Sequence, residues 1–196
     1  MYKKYFKRIL DIIISLLFMP FLGVISLFVI PMIKLEDGGP IFYISQRVGI
    51  DKLGFNMYKF RSMKVNSPDL RTADNETYNA EDDPRLTRIG KILRKTSIDE
   101  TPQFINVLKG DMSIIGPRPN LFDKRPEDLP AIEVKRLEVR PGITGYNQAY
   151  FRNSLSKQEK FEKDVYYVDN VSFKLDIQIF FKTLKTVIFR DNIYNS

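Results

Sequence analysis

Residues 12–33 read IIISLLFMPFLGVISLFVIPMI and carry no charged side chain. That is roughly the 20 residues a helix needs to cross the hydrocarbon core of a bilayer. The run is apolar on every face, unlike most helices of a soluble domain, which keep one polar face. No small-residue cleavage site ends it, so it does not read as a signal peptide. Pro20 sits near its middle, where a proline removes a backbone hydrogen bond and kinks a helix. Ser15, Gly23 and Ser26 lie around it. Both flanks are basic: Lys3, Lys4, Lys7 and Arg8 precede the run, and Lys34, Arg47, Lys52, Lys59, Arg61 and Lys64 follow it. With both flanks basic, the positive-inside rule gives little orientation preference. A kinked spanning helix fits the proline. A re-entrant helix, broken at Pro20 and returning to the face it entered, fits the proline and both flanks. Asp11, near the entry, is expected at the interface, paired with Lys7 or Arg8.

The 196 residues suggest one domain with an appended segment. We divide the chain into residues 1–35, the membrane helix with its basic N-terminus, and residues 36–196, a cytosolic, membrane-associated domain. The formal net charge of +7 favours negatively charged partners: nucleic acid, anionic lipid or phosphorylated small molecules. There is no Cys and no His. Disulfides, thiolate metal sites, the usual general base and the usual zinc ligand are therefore excluded. Any catalysis falls to carboxylates, Lys, Tyr, Ser or Thr, with a hard, oxygen-liking cation.

Beyond the turn cluster at 36–40, Ile41–Ile44 and Phe55–Met63 favour strands, with a turn at 49–54. The spacing predicts a β-hairpin that puts Lys59 and Arg61 on one face. Residues 66–84 are polar and read as a surface loop. Residues 85–95 predict an amphipathic helix with Leu86, Ile89, Ile92 and Leu93 on its apolar side. Ser97-Ile98-Asp99-Glu100 then has capping-box spacing, with Ser97 as N-cap and Glu100 at N3. The helix so begun tolerates Pro102 in its first turn and stops at Gly110. Acids in a first turn are ordinarily capping residues, favoured there by the helix dipole. Pro117-Arg118-Pro119 is rigid and pre-organises one guanidinium for an anion. Residues 140–145, RPGITG, form a second Pro/Gly loop carrying Arg140, and Arg152 follows a cluster of aromatics. Residues 157–169 read as a charged helix. Residues 171–190 form an amphipathic helix suited either to the membrane interface or to a core.

No GxxxxGK[ST], GxGxxG or HExxH motif is present. What remains is an acidic pair among many bases, beside a membrane segment. A carboxylate can attack phosphorus to give an acyl phosphate, while bases and a divalent cation neutralise the phosphoryl oxygens. KFRSM at 59–63, DPRLTRIGKILRKTSIDETPQFINVLKGDMSIIGPRP at 83–119, RPGITG at 140–145 and FEKDVYYVDNVSFKLDI at 161–177 occur in order across nearly the whole chain. Together they resemble the small monotopic phosphoglycosyl transferases, the bacterial sugar transferase family.

The resemblance implies an α+β fold: a mostly helical catalytic domain with a small β-hairpin, interfacial amphipathic helices, and an N-terminal re-entrant helix broken at Pro20. Met19 stands where the family usually has a small residue. It implies transfer of a sugar 1-phosphate from a UDP-sugar to polyprenyl (undecaprenyl) phosphate through a phosphosugar-aspartyl intermediate on Asp99, with release of UMP. Glu100 would assist, and Mg²⁺ would be the cofactor with Asp99 as a ligand. Arg118, between Pro117 and Pro119, would hold the nucleotide end. Lys59, Arg61, Arg88, Arg140 and Arg152 are candidates for substrate contacts. Asp164 and Asp176 match family carboxylates that support structure. The expected location is the cytoplasmic face of a bacterial inner membrane. The expected partners are the two substrates and membrane lipid, with no nucleic acid. A homo-oligomer, or contact with downstream glycosyltransferases, is compatible with this picture. The competing readings are a non-catalytic, membrane-anchored basic module binding nucleic acid or anionic lipid, and a metal-dependent phosphodiester hydrolase. The sequence does not name the sugar.

Overall fold

The computed structural model describes residues 1–70, 78, 80, 83–123, 125–151 and 154–189. It is a mixed helix-and-sheet structure. One long helix, α1 (Lys7–Asp37), follows a π-helical turn at Tyr2–Phe6. Next comes an antiparallel hairpin, β1 (Phe42–Val48) and β2 (Gly54–Phe60), in which Tyr43 pairs with Lys59 and Phe42 with Phe60. Then follow α2 (Arg88–Thr96), α3 (Gln103–Lys109), β3 (Ser113–Ile115) and α4 (Ala131–Arg136). The described chain ends with β4 (Gly142–Thr144), α5 (Tyr146–Tyr150), α6 (Lys157–Asp169) and α7 (Phe173–Phe189). β3 and β4 form a second, parallel pair. At Gly142 a Cβ would come within 2.1 Å of the Gly116 nitrogen, so only glycine lets these two segments pair so closely.

α1 does not break at Pro20; it continues through Pro20 and Pro31. Its buried residues explain this. At about 100° per residue, Lys7, Asp11, Ser15, Leu22, Val29 and Ile33 fall within about 80° of one another, so one stripe stays in phase on both sides of the proline. Leu22, Val29 and Ile33 pack with Phe60 of β2 and Leu93 of α2, and Phe18 stacks on Phe104 of α3 at 4.0 Å between centroids. Burying each of those aliphatic side chains contributes about 1.5–3 kcal/mol, which offsets the hydrogen bond lost at the exposed Pro20. The opposite face presents Leu16, Leu17, Phe21, Val24, Leu27 and Phe28 to the surroundings.

Both ends of α1 are fastened to the same domain. At the start, Lys7 pairs with Asp176 at 2.8 Å and Arg8 donates to the Val107 carbonyl at 2.6 Å. Asp11 does not sit at a polar interface paired with Lys7 or Arg8. It is buried and accepts from the Ile114 amide at 3.0 Å, because Lys7 is held by Asp176 instead. At the far end, Glu36 and Asp37 bond α2 and Arg61.

The second core joins Met57, Val107, Met112, Ile114, Ile115, Tyr167 and Ile179, so β2, α3, β3, α6 and α7 share one interior. Asp164 and Asp176 serve that interior as expected. Asp164 forms a buried pair with Arg136, and Asp176 accepts from Tyr2, Lys7 and Tyr167. α7 keeps Phe173, Ile177, Phe181 and Leu184 exposed on one side while Ile179 is buried.

Candidate active site

The acidic pair lies between two helices rather than inside the first turn of one. Ser97 is the C-cap of α2, in the left-handed region at φ 58°, with its amide bonded to the Arg94 and Leu93 carbonyls. A short 3₁₀ turn, Ile98–Glu100, follows, and α3 starts only at Gln103. The expected capping box is therefore absent: Ser97 makes no side-chain cap, and Glu100 turns to Lys59 instead. A capping box with the same spacing does form at Ser156 and Glu159, where no cation draws the glutamate away.

Lys59, near the end of β2, donates to Glu100 Oε1 at 2.5 Å. Arg118 Nη1 stands 3.9 Å from the same oxygen, and its side chain is 58% exposed, so it remains available to a ligand. Asp99 is only 7% exposed. Burial pushes its carboxyl above the usual range despite the pull of Lys59, and the neighbouring charge of Glu100 pushes the same way. Burial also opposes ionisation of Glu100, but Lys59 and Arg118 outweigh it and hold that carboxyl low. Arg94 lowers both. Two adjacent carboxylates thus have opposite tendencies, the pattern that separates reactive from supporting acids. A shallow cleft, open to solvent, adjoins Glu100, while the buried Asp99 is not among its lining residues. Arg47, Lys59, Glu100, Gln103, Arg118 and Pro119 are among its lining residues.

The structure brings Asp99, Glu100, Lys59, Arg118 and Pro119 together. It separates the others. β2 ends at Phe60, so Arg61 leaves the face of Lys59 and bonds Asp37 with both terminal nitrogens and the Pro40 carbonyl with Nε. Arg88 has its amide bonded to Glu36 and its side chain exposed at the start of α2, one full helix away from Asp99. Arg140 donates to the Gly110 carbonyl and is not among the cleft-lining residues. Pro117 supports the loop by accepting from the Gly142 amide. Arg152 lies outside the described residues, as does much of the 66–84 loop.

Three residues at the site were not singled out from sequence. Arg47 lines the cleft from β1, with a long 3.4 Å contact to the Pro119 carbonyl. Gln103, buried at the start of α3, lines its floor. Arg94 donates to Ser62 Oγ at 3.1 Å and faces both acids. Gln103 and Arg94 lie within five residues of Asp99, a proximity that could have marked them; Arg47 carried no local signal. α2 reaches this position because Gly90 packs directly on the Ser62 backbone, where a Cβ would lie 1.8 Å from the carbonyl oxygen.

Among the described residues no group of three or more acids could enclose a metal. Two adjacent carboxylates fit a Mg²⁺ that keeps waters and substrate oxygens in its octahedron, the usual mode for that ion at phosphate sites.

Comparison with known proteins gives a consistent result. The bacterial sugar transferase family profile matches residues 2–190. The chain is 42% identical to the uncharacterized sugar transferase EpsL of Bacillus subtilis (strain 168), over 95% of this chain and 89% of that protein. It is 43% identical to the galactosyl transferase CpsE of Streptococcus agalactiae serotype III (strain NEM316), over 93% of this chain and 42% of that protein. It is 40% identical to the UDP-N-acetylgalactosamine-undecaprenyl-phosphate N-acetylgalactosaminephosphotransferase of Aeromonas hydrophila, over 94% of this chain and 44% of that protein. The chain thus spans most of one relative and less than half of the other two. A family match over nearly every residue makes this chain a member of the bacterial sugar transferase family.

Proposed function

We propose that the protein transfers a sugar 1-phosphate from a UDP-sugar to a polyprenyl phosphate such as undecaprenyl phosphate, an early membrane step of polysaccharide or glycoconjugate assembly. The observation that carries this reading is the split pair: a buried Asp99, raised in pKa, beside a Glu100 held ionised by Lys59 and Arg118 at a basic cleft.

In the first step an Asp99 carboxylate oxygen attacks the β-phosphorus of the donor. A P–O bond forms, the bond from that phosphorus to the α–β bridging oxygen breaks, and UMP leaves with the electron pair. In the second step a phosphate oxygen of the acceptor attacks the same phosphorus. The Asp99–phosphorus bond breaks, the carboxylate is restored and polyprenyl-diphosphate-sugar is released. Lys59 and Arg118 stabilise charge on the non-bridging oxygens, and burial of Asp99 keeps water from the acyl phosphate. Glu100 fixes Lys59 in place. Mg²⁺, held by Asp99 with Glu100 nearby, would supply further neutralisation of phosphoryl oxygens.

The exposed apolar face of α1 suits contact with lipid, and its attachment to one domain at both ends supports a helix held at one face of the membrane rather than crossing it. The exposed side of α7 extends that contact. The decisive assay is UMP release from a panel of UDP-sugars by detergent-solubilised protein, with and without polyprenyl phosphate. Release with at least one sugar, lost in Asp99→Asn and sustained over many turnovers only with acceptor, supports the proposal. Full turnover by Asp99→Asn would sink the mechanism, and sustained release without acceptor would indicate hydrolysis.

A further inference from the structure

α1 contains three acidic residues, Asp11, Glu36 and Asp37, and each bonds a segment that leads directly to a site residue. Asp11 Oδ1 accepts the Ile114 amide at 3.0 Å, in β3, four residues before Arg118. Asp11 and Ile114 are both buried, so nothing but this carboxylate satisfies that donor. Downstream the backbone is held without slack: the Gly116 amide bonds the Thr144 carbonyl, and the Gly142 amide bonds the Pro117 carbonyl. Asp37 binds Arg61 through both carboxylate oxygens, two residues past Lys59. Glu36 accepts the Arg88 amide at 2.5 Å and the Ile89 amide at 3.1 Å. Thr87 takes the Gly90 amide through its side chain and donates its own amide to the Ser62 carbonyl, so all four orphan donors at the start of α2 are satisfied. The other end of α2 delivers Ser97 and then Asp99.

We infer that α1 is a positioning element of the active site as well as an anchor: Asp11, Glu36 and Asp37 set where Arg118, the Asp99–Glu100 pair and Lys59 stand relative to one another. The three ties reach three segments, which also touch one another through Lys59 with Glu100 and Gly90 on Ser62, and the site lies where those segments meet. Along a helix rising about 1.5 Å per residue, Asp11 and Glu36 are separated by roughly 37 Å of contour. One helix thus links the three segments that carry the site residues. A shift of α1 in the lipid would move all three segments together.

The test uses the full chain in detergent and the single variants Asp11→Ala, Glu36→Ala and Asp37→Ala. Asp11→Asn, Glu36→Gln and Asp37→Asn retain an acceptor oxygen. Its kinetic arm rests on the transfer reaction proposed above; its second arm, amide hydrogen exchange, does not. The expected kinetics are a fall in kcat of about tenfold or more for each alanine variant, with donor KM within about twofold and substantial recovery in the conservative variant. The expected exchange is faster at the tied amide and also at the site segment beyond it: Gly116 and Arg118 for Asp11, 98–100 for Glu36, and 57–59 for Asp37. Wild-type kcat in the alanine variants overturns the inference. So does a loss of activity that tracks only the loss of folded protein, or exchange confined to the tied amide. If the wild type releases no UMP from any donor, the proposed function fails, and the exchange pattern alone still decides for or against the positioning role.

Discussion

Replacing Lys59 by methionine removes the ammonium that bonds Glu100 at 2.5 Å and is the leading influence lowering the Asp99 carboxyl. The methionine keeps most of the apolar stem, so packing changes little. Breaking one side of a fully buried pair costs about 3–5 kcal/mol. Here the two side chains keep 16% and 25% of their exposure, and Arg118 remains near Glu100, so a smaller effect follows. We take about 1.5 kcal/mol, which is about one pH unit at 1.36 kcal/mol per unit. The sign is fixed by the charge removed. Losing a cation raises both carboxyl pKa values, and Asp99 attacks only when ionised. The acid limb of the pH–rate profile, which in the wild type lies above the ordinary carboxylate range near 4, should move up by about one unit. The loss of kcat/KM should therefore be larger at pH 6 than at pH 8.5. UMP release measured from pH 5 to 9 gives the answer. An acid limb that stays in place, or moves down, would refute the assignment of the titrating group to Asp99 under the control of Lys59.

The two acids should also differ in stability. The raised pKa of Asp99 means that the folded chain holds its proton more tightly than the unfolded chain. Its ionisation therefore removes stability as pH rises through the folded pKa, and Asp99→Asn should raise Tm at pH 8. Glu100 is depressed, so its contribution is present above its unfolded pKa and lost in acid. Glu100→Gln should accordingly lower Tm at pH 8, and thermal unfolding of both variants checks the pair of signs. Arg136 and Asp164 have side chains 4% and 2% exposed, and Arg136→Ala strands the carboxylate. A loss of about 3–5 kcal/mol and a Tm fall on the order of 10 °C should follow, together with a lower kcat/KM per folded molecule, because Arg136 also donates to the Arg118 carbonyl at 2.8 Å. On the exposed apolar side of α1, Leu27→Lys with Phe28→Lys should shift the protein from membrane pellet to supernatant without loss of helical circular dichroism, because both side chains are exposed.

What the sequence made legible were features with a local cause. The apolar run, the turn residues of the hairpin and the glycine that stops α3 at Gly110 each carry their signal within a few positions. The features that departed from expectation were decided by distant partners. Ser97 and Glu100 have capping-box spacing, but Lys59, remote in sequence, takes the glutamate. Lys59 and Arg61 are two apart, but β2 ends between them, and Asp37 draws the arginine toward α1. Pro20 carries a strong local signal for a break, and the long stripe of contacts with β2, α2 and α3 overrides it. Arg47 reaches the cleft only because β1 folds back against the segment after Pro119, through the Arg47–Leu121 bridge. Asp99 and Arg118 carried local signals, adjacent acids and an arginine between two prolines, but their placement relative to one another depends on partners remote in sequence, Lys59 and Arg136 among them.

The central claim is that Asp99 carries the sugar phosphate between donor and acceptor. Intact-mass and peptide mass spectrometry of the full chain, incubated with its UDP-sugar and Mg²⁺ but without polyprenyl phosphate, tests it directly. The account predicts a mass increase equal to one sugar phosphate, mapped to Asp99, with release of about one UMP per active chain and discharge when acceptor is added. Absence of any adduct on Asp99, in an enzyme that turns over normally once both substrates are present, would contradict it.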